Sequence, residues 1–206
     1  MQNFIQKFET TIKECWTNPA VSDYKCNTWT YSQIAEEIAM MHLVWKAAGI
    51  KQGDKISLNA RSSANWAKTF MAVTSGGHVA VQLFNGFTPA DAQKFTHHSD
   101  SKILFTEKVI FEGMDFETMP QLLAVFDTKN MELLASRNGF AEIHANREEL
   151  FKTAYPHGLT PDAALVTVFT KLPATIFNAA VAILFAPFLA TAIREGLKKN
   201  HLSLEN

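Results

Sequence analysis

No charge of one sign dominates this sequence. Nineteen Lys and Arg stand against 20 Asp and Glu, so no global field gathers a polyanion, and no basic run is interleaved with aromatics. A nucleic-acid partner is therefore not expected. Cysteine is scarce as well: Cys15 and Cys26 match neither a zinc-knuckle spacing nor a secreted disulfide framework, which favours reduced thiols in the cytoplasm. The start, Met1-Gln2-Asn3-Phe4, lacks a cationic stretch followed by an apolar core, so no secretory signal is expected. Reactive constellations are missing too. His97 and His98 are adjacent and, on a helix, point about 100° apart, which keeps both off one metal ion. Ser62-Ser63 and Ser75-Gly76-Gly77 lack both the spacing and the following lysine of a phosphate-binding loop. Glu36-Glu37 and Glu148-Glu149 diverge in the same way as the histidines and read as solvated faces. No catalytic, cofactor-binding or metal-ligating residue is assigned.

What is present is a foldable chain, 47% hydrophobic and 19% charged. Phe4, Phe8, Ile12 and Trp16 recur at helical spacing and predict a first amphipathic helix stopped by Asn18-Pro19. Ala20 to Ser22 and Thr28 to Tyr31 read as a short hairpin. Thr30-Tyr31-Ser32-Gln33 fits a capping box opening a second helix, with Gly49 as its stop. Lys55 to Asn59, Val79 to Leu83 and Ile103 to Phe105 are strand candidates. Helical stretches at Ala64 to Ser75 and from Thr88-Pro89 toward His97 separate them. Strand and helix alternating in this way predict a parallel sheet flanked by helices. A fourth strand is expected near Leu122 to Phe126 and a charged helix over Asn146 to Thr153, while Asp127 to His144 gives no clear pattern. The predicted organisation is an α/β unit over residues 1–157 and an apolar tail over 158–206.

Several of these pieces resemble the opening of adenylate-forming enzymes, specifically long-chain acyl-CoA synthetases. They are Thr28-Trp29-Thr30-Tyr31-Ser32-Gln33, then Gly49-Ile50-Lys51-Gln52-Gly53-Asp54-Lys55-Ile56, then Ser63-Ala64-Asn65-Trp66. Gly76-Gly77-His78-Val79-Ala80-Val81 and His98-Ser99-Asp100-Ser101-Lys102-Ile103 follow in the same order. The resemblance runs from Phe4 to about Pro156 and lies in architecture: glycines that end helices, Asp54 serving a turn, tryptophans filling helix faces. One departure is Gln82, where the family usually has proline, and it is expected to loosen the turn leaving the sheet. The resemblance implies the N-terminal subdomain of the adenylate-forming fold. It also implies a chemistry that uses ATP, Mg and CoA to convert a carboxylate to an acyl-adenylate and then an acyl-CoA. That chemistry relies on a Ser/Thr/Gly-rich loop ending in Pro-Lys-Gly, a Tyr-Gly-x-Thr-Glu segment, a ribose-binding aspartate and a catalytic lysine. None of them occurs here. After Tyr155-Pro156 the chain instead enters Ala163-Ala164-Leu165-Val166-Thr167-Val168-Phe169. The expectation is a truncated relative that binds none of these cofactors and is inactive alone, unless a second chain supplies the missing catalytic part.

The tail is a separate matter. Ala174 to Ile193 is twenty residues without a charge, roughly 30 Å as a helix, enough to span a bilayer's hydrocarbon. Nine of the twenty are Ile, Leu, Phe or Val, but Asn178 and Pro187 oppose insertion, so a buried helix of a soluble protein stands beside the membrane reading. Lys171 before the segment and Arg194, Lys198 and Lys199 after it would keep the C-terminus of an inserted helix cytoplasmic. The expected location is the cytoplasm, with attachment to the inner face of the cell membrane if the helix inserts. Lys171 to Pro187 is also similar to the last helix of substrate-binding membrane components of energy-coupling-factor transporters, which adds a non-catalytic, membrane-tethered module or a transporter fusion as the alternative.

Overall fold

Local chemistry sets the helix ends. A computed structural model describes residues 3–164. Helix α1 (Phe4–Glu14) opens on an Asn3/Gln6 capping box, which the sequence reading did not identify. The hairpin strands β1 (Pro19–Ser22) and β2 (Thr28–Thr30) pair antiparallel, as expected. Helix α2 (Tyr31–Ala47) begins on the predicted capping box, with the Gln33 amide N–H donating to Thr30 Oγ1 at 3.3 Å and the Thr30 N–H donating to Gln33 Oε1 at 2.9 Å. It is followed by Gly49 at φ 77°, a left-handed conformation that a β-carbon would strain although open space surrounds it. Thr30→Ala removes one side of the box and is expected to cost about 1 kcal/mol of unfolding free energy, measured by urea denaturation.

Strand β3 (Lys55–Asn59), helix α3 (Ala64–Ser75), strand β4 (Val79–Gln82), helix α4 (Pro89–His98) and strand β5 (Ile103–Thr106) then alternate. The short helix α5 (Lys108–Phe111) and a 3₁₀ turn (Phe116–Thr118) lead to β6 (Ala124–Asp127). Strand β7 (Leu133–Ser136) and helices α6 (Phe140–Ala145) and α7 (Arg147–Ala154) complete the described elements. The five-stranded sheet has the order β4-β3-β5-β6-β7. It is parallel from β4 to β6, but β7 runs antiparallel to β6 with a register shift at Val125/Phe126, so the sheet is mixed rather than purely parallel. Ile56, Ser57, Leu58 and Asn59 are all buried, as befits a central strand covered on both faces. The two polar residues are satisfied: Ser57 Oγ lies 2.7 Å from Ser101 Oγ, and Asn59 Nδ2 donates to the Phe84 carbonyl at 2.7 Å.

That last bond also answers the expectation about Gln82. The turn leaving β4 is held from β3, through Asn59 and through the Leu83 N–H donating to the Leu58 carbonyl at 2.9 Å, so Gln82 does not leave it loose. The sheet carries a core on each face. On one, Leu104 and Val125 pack with Met119 and Leu122. On the other, Phe105 and Phe126 stack at 5.1 Å, with Trp45 of α2 edge-on to Phe105 and Phe140 of α6 edge-on to Phe126. Residues 165–206, including the candidate membrane segment Ala174 to Ile193 and the expected apolar C-terminal helix, lie outside the described residues. Among the described residues no helix is long and apolar enough to cross a membrane.

Candidate functional site

The chain leaves β3 for β4 on one side and returns past β3 to β5 on the other. This puts the topological switch between β3 and β5, where open α/β sheets tend to bind ligands outside the strand carboxyl ends. Register aligns Asn59, Thr106 and Asp127 across those ends. Thr106 Oγ1 donates to Asn59 Oδ1 at 3.2 Å, and the Lys129 N–H donates to Asp127 Oδ1 at 2.9 Å. A cavity of about 560 Å³ opens there, with Arg61, Glu107, Glu112, Asp127 and Lys129 on its walls. Arg61 and Glu107 approach to 3.7 Å in solvent, an arrangement worth little in water.

A larger cavity, about 750 Å³, adjoins it beneath α2 and α7. Its interior is formed by Met40, Val44 and Trp45 of α2 and by Phe105 and Phe126 of the sheet. Lys129, Arg147 and Lys152 stand around it together with Glu148. Lys68 of α3, 2% exposed, donates to Glu37 Oε2 at 2.6 Å and lies 4.3 Å from the centre of the Trp29 ring. Glu37 therefore does not belong to the solvated face read for Glu36-Glu37. A lysine 31 positions later claims it. His144 meets the Phe126 ring at 5.1 Å, and burial, with the Arg147 guanidinium second, holds its pKa below the ordinary 6.5. As the pH falls below about 6.5 the unfolded chain takes up a proton that the folded chain resists, so stability falls. Urea titrations at about pH 7.5 and 5.5 are expected to show this loss and to show less of it in His144→Gln.

The sequence match to known proteins decides the family. Residues 8–183 match the AMP-binding enzyme family. The chain belongs to that family. It is 29% identical over 90 residues to the acyl-CoA ligase sidI of Aspergillus fumigatus, covering 40% of this chain and 15% of that protein. To the acyl-CoA ligase sidI of Beauveria bassiana it is 26% identical over 106 residues, covering 52% and 18%. The fold is that of solved ligases. Coronafacic acid ligase from Pectobacterium brasiliense, in a point-mutant form, superposes with a TM-score of 0.58 at 19% identity over 70% of this chain and 29% of that one. A benzoate CoA ligase from Burkholderia xenovorans gives 0.54 at 17% identity over 70% and 28%. The chain thus spans less than a fifth of these curated relatives and under a third of these solved ones.

The AMP-binding match reaches Ile183, beyond Pro156 where the motif resemblance ends and halfway along Ala174 to Ile193. The likeness of the tail to a transporter component finds no support in these matches. A nucleotide needs a phosphate cradle of convergent N–H groups, commonly at a helix N-terminus. At the switch-point crevice two N-terminal donors of α3 are taken, Ser63 Oγ accepting from the Trp66 N–H at 3.1 Å and Asp23 Oδ1 from the Ala64 N–H at 2.9 Å, while α5 begins at the same cavity without a side-chain cap. No glycine lines either cavity, and among the described residues no three His, Cys, Asp or Glu gather to hold a magnesium or other metal ion.

Proposed function

We propose that these 206 residues form the N-terminal, sheet-bearing part of an acyl-CoA synthetase-like protein and that by themselves they activate no carboxylate. The observation that carries this reading is the absence of a Ser/Thr/Gly-rich loop ending in Pro-Lys-Gly anywhere in a sequence that belongs to the AMP-binding family. Without phosphate donors and a cation, the charge developing on departing pyrophosphate has nothing to stabilise it. The sheet then acts as scaffold: Asp23 and Ser63 at the crevice accept from the first N–H groups of α3, and the strand-end side chains of Thr106 and Asn59 serve one another. Isothermal titration of the purified chain with ATP and magnesium is expected to give no binding heat, and a micromolar affinity would contradict the proposal. A catalytic part supplied by another chain would instead restore activity on co-expression.

A membrane-tethered, non-catalytic module in the cytoplasm is the second reading, favoured by the uncharged run Ala174 to Ile193. Carbonate washing of membranes separates the two. Retention of the chain in the pellet supports the tether, and release into the wash excludes it.

A further inference from the structure

The sequence Asn-Gly-Phe occurs twice, at Asn85-Gly86-Phe87 and at Asn138-Gly139-Phe140, and both times the Asn-Gly pair is an exposed turn. Asparagine followed by glycine is especially open to an intramolecular reaction, because no β-carbon shields the next amide nitrogen from the asparagine side chain. Among the described residues neither asparagine side chain and neither glycine N–H is held by a hydrogen bond. The two sites offer the same chemistry, and the fold treats them differently.

The turn at Asn138 is clamped on both sides. The Phe140 N–H donates to the Arg137 carbonyl at 3.1 Å, and φ is 55° at Asn138 and 75° at Gly139, the left-handed pair of a type I′ turn. Arg137 before it is fixed by its N–H on the Leu123 carbonyl at 3.0 Å and by Nη2 on the Phe116 carbonyl at 2.8 Å. Phe140 after it is 1% exposed and packs edge-on to Phe126 at 5.9 Å. Swinging the Gly139 nitrogen onto the Asn138 side chain pulls at one of these anchors. The turn at Asn85 is clamped only on entry, where the Leu83 N–H and the Phe84 carbonyl are bonded to β3. Beyond that point a single bond closes it, from the Phe87 N–H to the Phe84 carbonyl at 3.1 Å. The Phe84 ring lies over Gly86 but is 66% exposed and free to swing away, and the Phe87 ring stacks at 5.0 Å on Phe95, itself 39% exposed. Opening such a loop locally takes far less free energy than undoing core packing.

We propose that Asn85 is a site of spontaneous deamidation to isoaspartate and that the fold protects Asn138 from the same reaction. In the opened turn the Gly86 nitrogen gives its proton to hydroxide and attacks Asn85 Cγ. The Cγ–Nδ2 bond breaks, ammonia leaves with a proton returned from water, and a succinimide closes. Water then opens the ring: addition at Cγ gives aspartate, and addition at the main-chain carbon gives isoaspartate, which carries the backbone through the former side chain. Either product sets a carboxylate in the stretch Val79 to Ala90, which otherwise has no charged side chain. The isoaspartyl product has the chemistry that an S-adenosylmethionine-dependent isoaspartyl methyltransferase recognises. The reaction requires water alone, so it is independent of whether the chain activates a carboxylate.

The test incubates the purified 206-residue chain in warm, mildly alkaline buffer and compares the two Asn-Gly-Phe peptides after digestion. Mass spectrometry reads the exchange of ammonia for water, and methyl transfer from labelled S-adenosylmethionine by an isoaspartyl methyltransferase reads the isoaspartyl product. In the folded chain Asn85 is expected to convert at least tenfold faster than Asn138. In urea strong enough to unfold the chain the two are expected to convert within threefold of each other, since both precede Gly-Phe and the anchors are gone. Asn85→Ser is expected to remove most of the methyl acceptance of the folded chain. Similar rates at the two sites in the folded chain, faster conversion at Asn138, or no conversion at Asn85 would each overturn the proposal. So would a tenfold preference that persists in urea, or methyl acceptance undiminished in Asn85→Ser.

Discussion

Replacing Trp45 by alanine is expected to lower the unfolding free energy by about 4 kcal/mol, the upper part of the range for deleting a large buried aromatic. Trp45 is 1% exposed and sits where α2 meets the sheet, edge-on to Phe105 at 6.5 Å and to His78 at 5.3 Å. Its removal opens a hole that the sheet cannot close, because Phe105 is itself stacked on Phe126. Domains of this size have total stabilities of about 5–15 kcal/mol, so this single loss is a large fraction of the whole. Trp66 provides the contrast. It is half-buried and stacks on Phe70 of its own helix at 5.5 Å, so Trp66→Ala is expected to cost only about 1 kcal/mol. Urea denaturation followed by circular dichroism measures both, and equal losses would show that the α2 face of the sheet is not the main core.

The second large effect concerns Lys68 and Glu37, and it is asymmetric. Glu37→Met strands a buried ammonium, which is expected to cost about 3 kcal/mol, whereas Lys68→Met leaves a carboxylate that can turn toward water and costs less than about 1 kcal/mol. The difference follows from burial: the Lys68 side chain is 3% exposed and that of Glu37 34%. Trp29, with its ring 4.3 Å from the lysine nitrogen, adds a cation–π contact that cannot replace a lost counter-charge. The double Met variant is expected to recover most of the loss of Glu37→Met. A double variant no more stable than Glu37→Met would mean that packing, rather than the stranded charge, causes the loss.

Much of the fold was legible because its signals are local. Thr30 and Gln33 announce α2, Gly49 stops it, and α3 begins and ends on the residues predicted, since caps and glycine conformations depend on a few neighbouring atoms. Asp54 serves its turn as read, Oδ2 accepting from the Lys51 N–H at 2.7 Å. Strand β7 and helix α6 were not legible. The first is antiparallel, with its pairing shifted at Val125/Phe126. The second opens on Gly139 at φ 75° with no side-chain cap, so neither carries a periodic or capping signature. The cavities were not legible for a different reason: their walls come from positions as far apart as Asp23 and Lys152, brought together only by the sheet order. The same distance in sequence hid the Lys68–Glu37 pair, because reading Glu36-Glu37 on one helix shows where each side chain leaves but not what it meets.

Family membership and catalytic competence are different properties, and the proposed function separates them in this chain. The architecture of AMP-binding enzymes is present across the described sheet, while the phosphate-holding loop on which their chemistry depends has no counterpart in these 206 residues. Exchange of labelled pyrophosphate into ATP tests that separation most directly, because it reports reversible acyl-adenylate formation without requiring CoA or product release. With the purified chain, magnesium and acetate, benzoate or dodecanoate in turn, the account predicts no exchange above that of the boiled protein. Carboxylate-dependent exchange by this chain alone would contradict it.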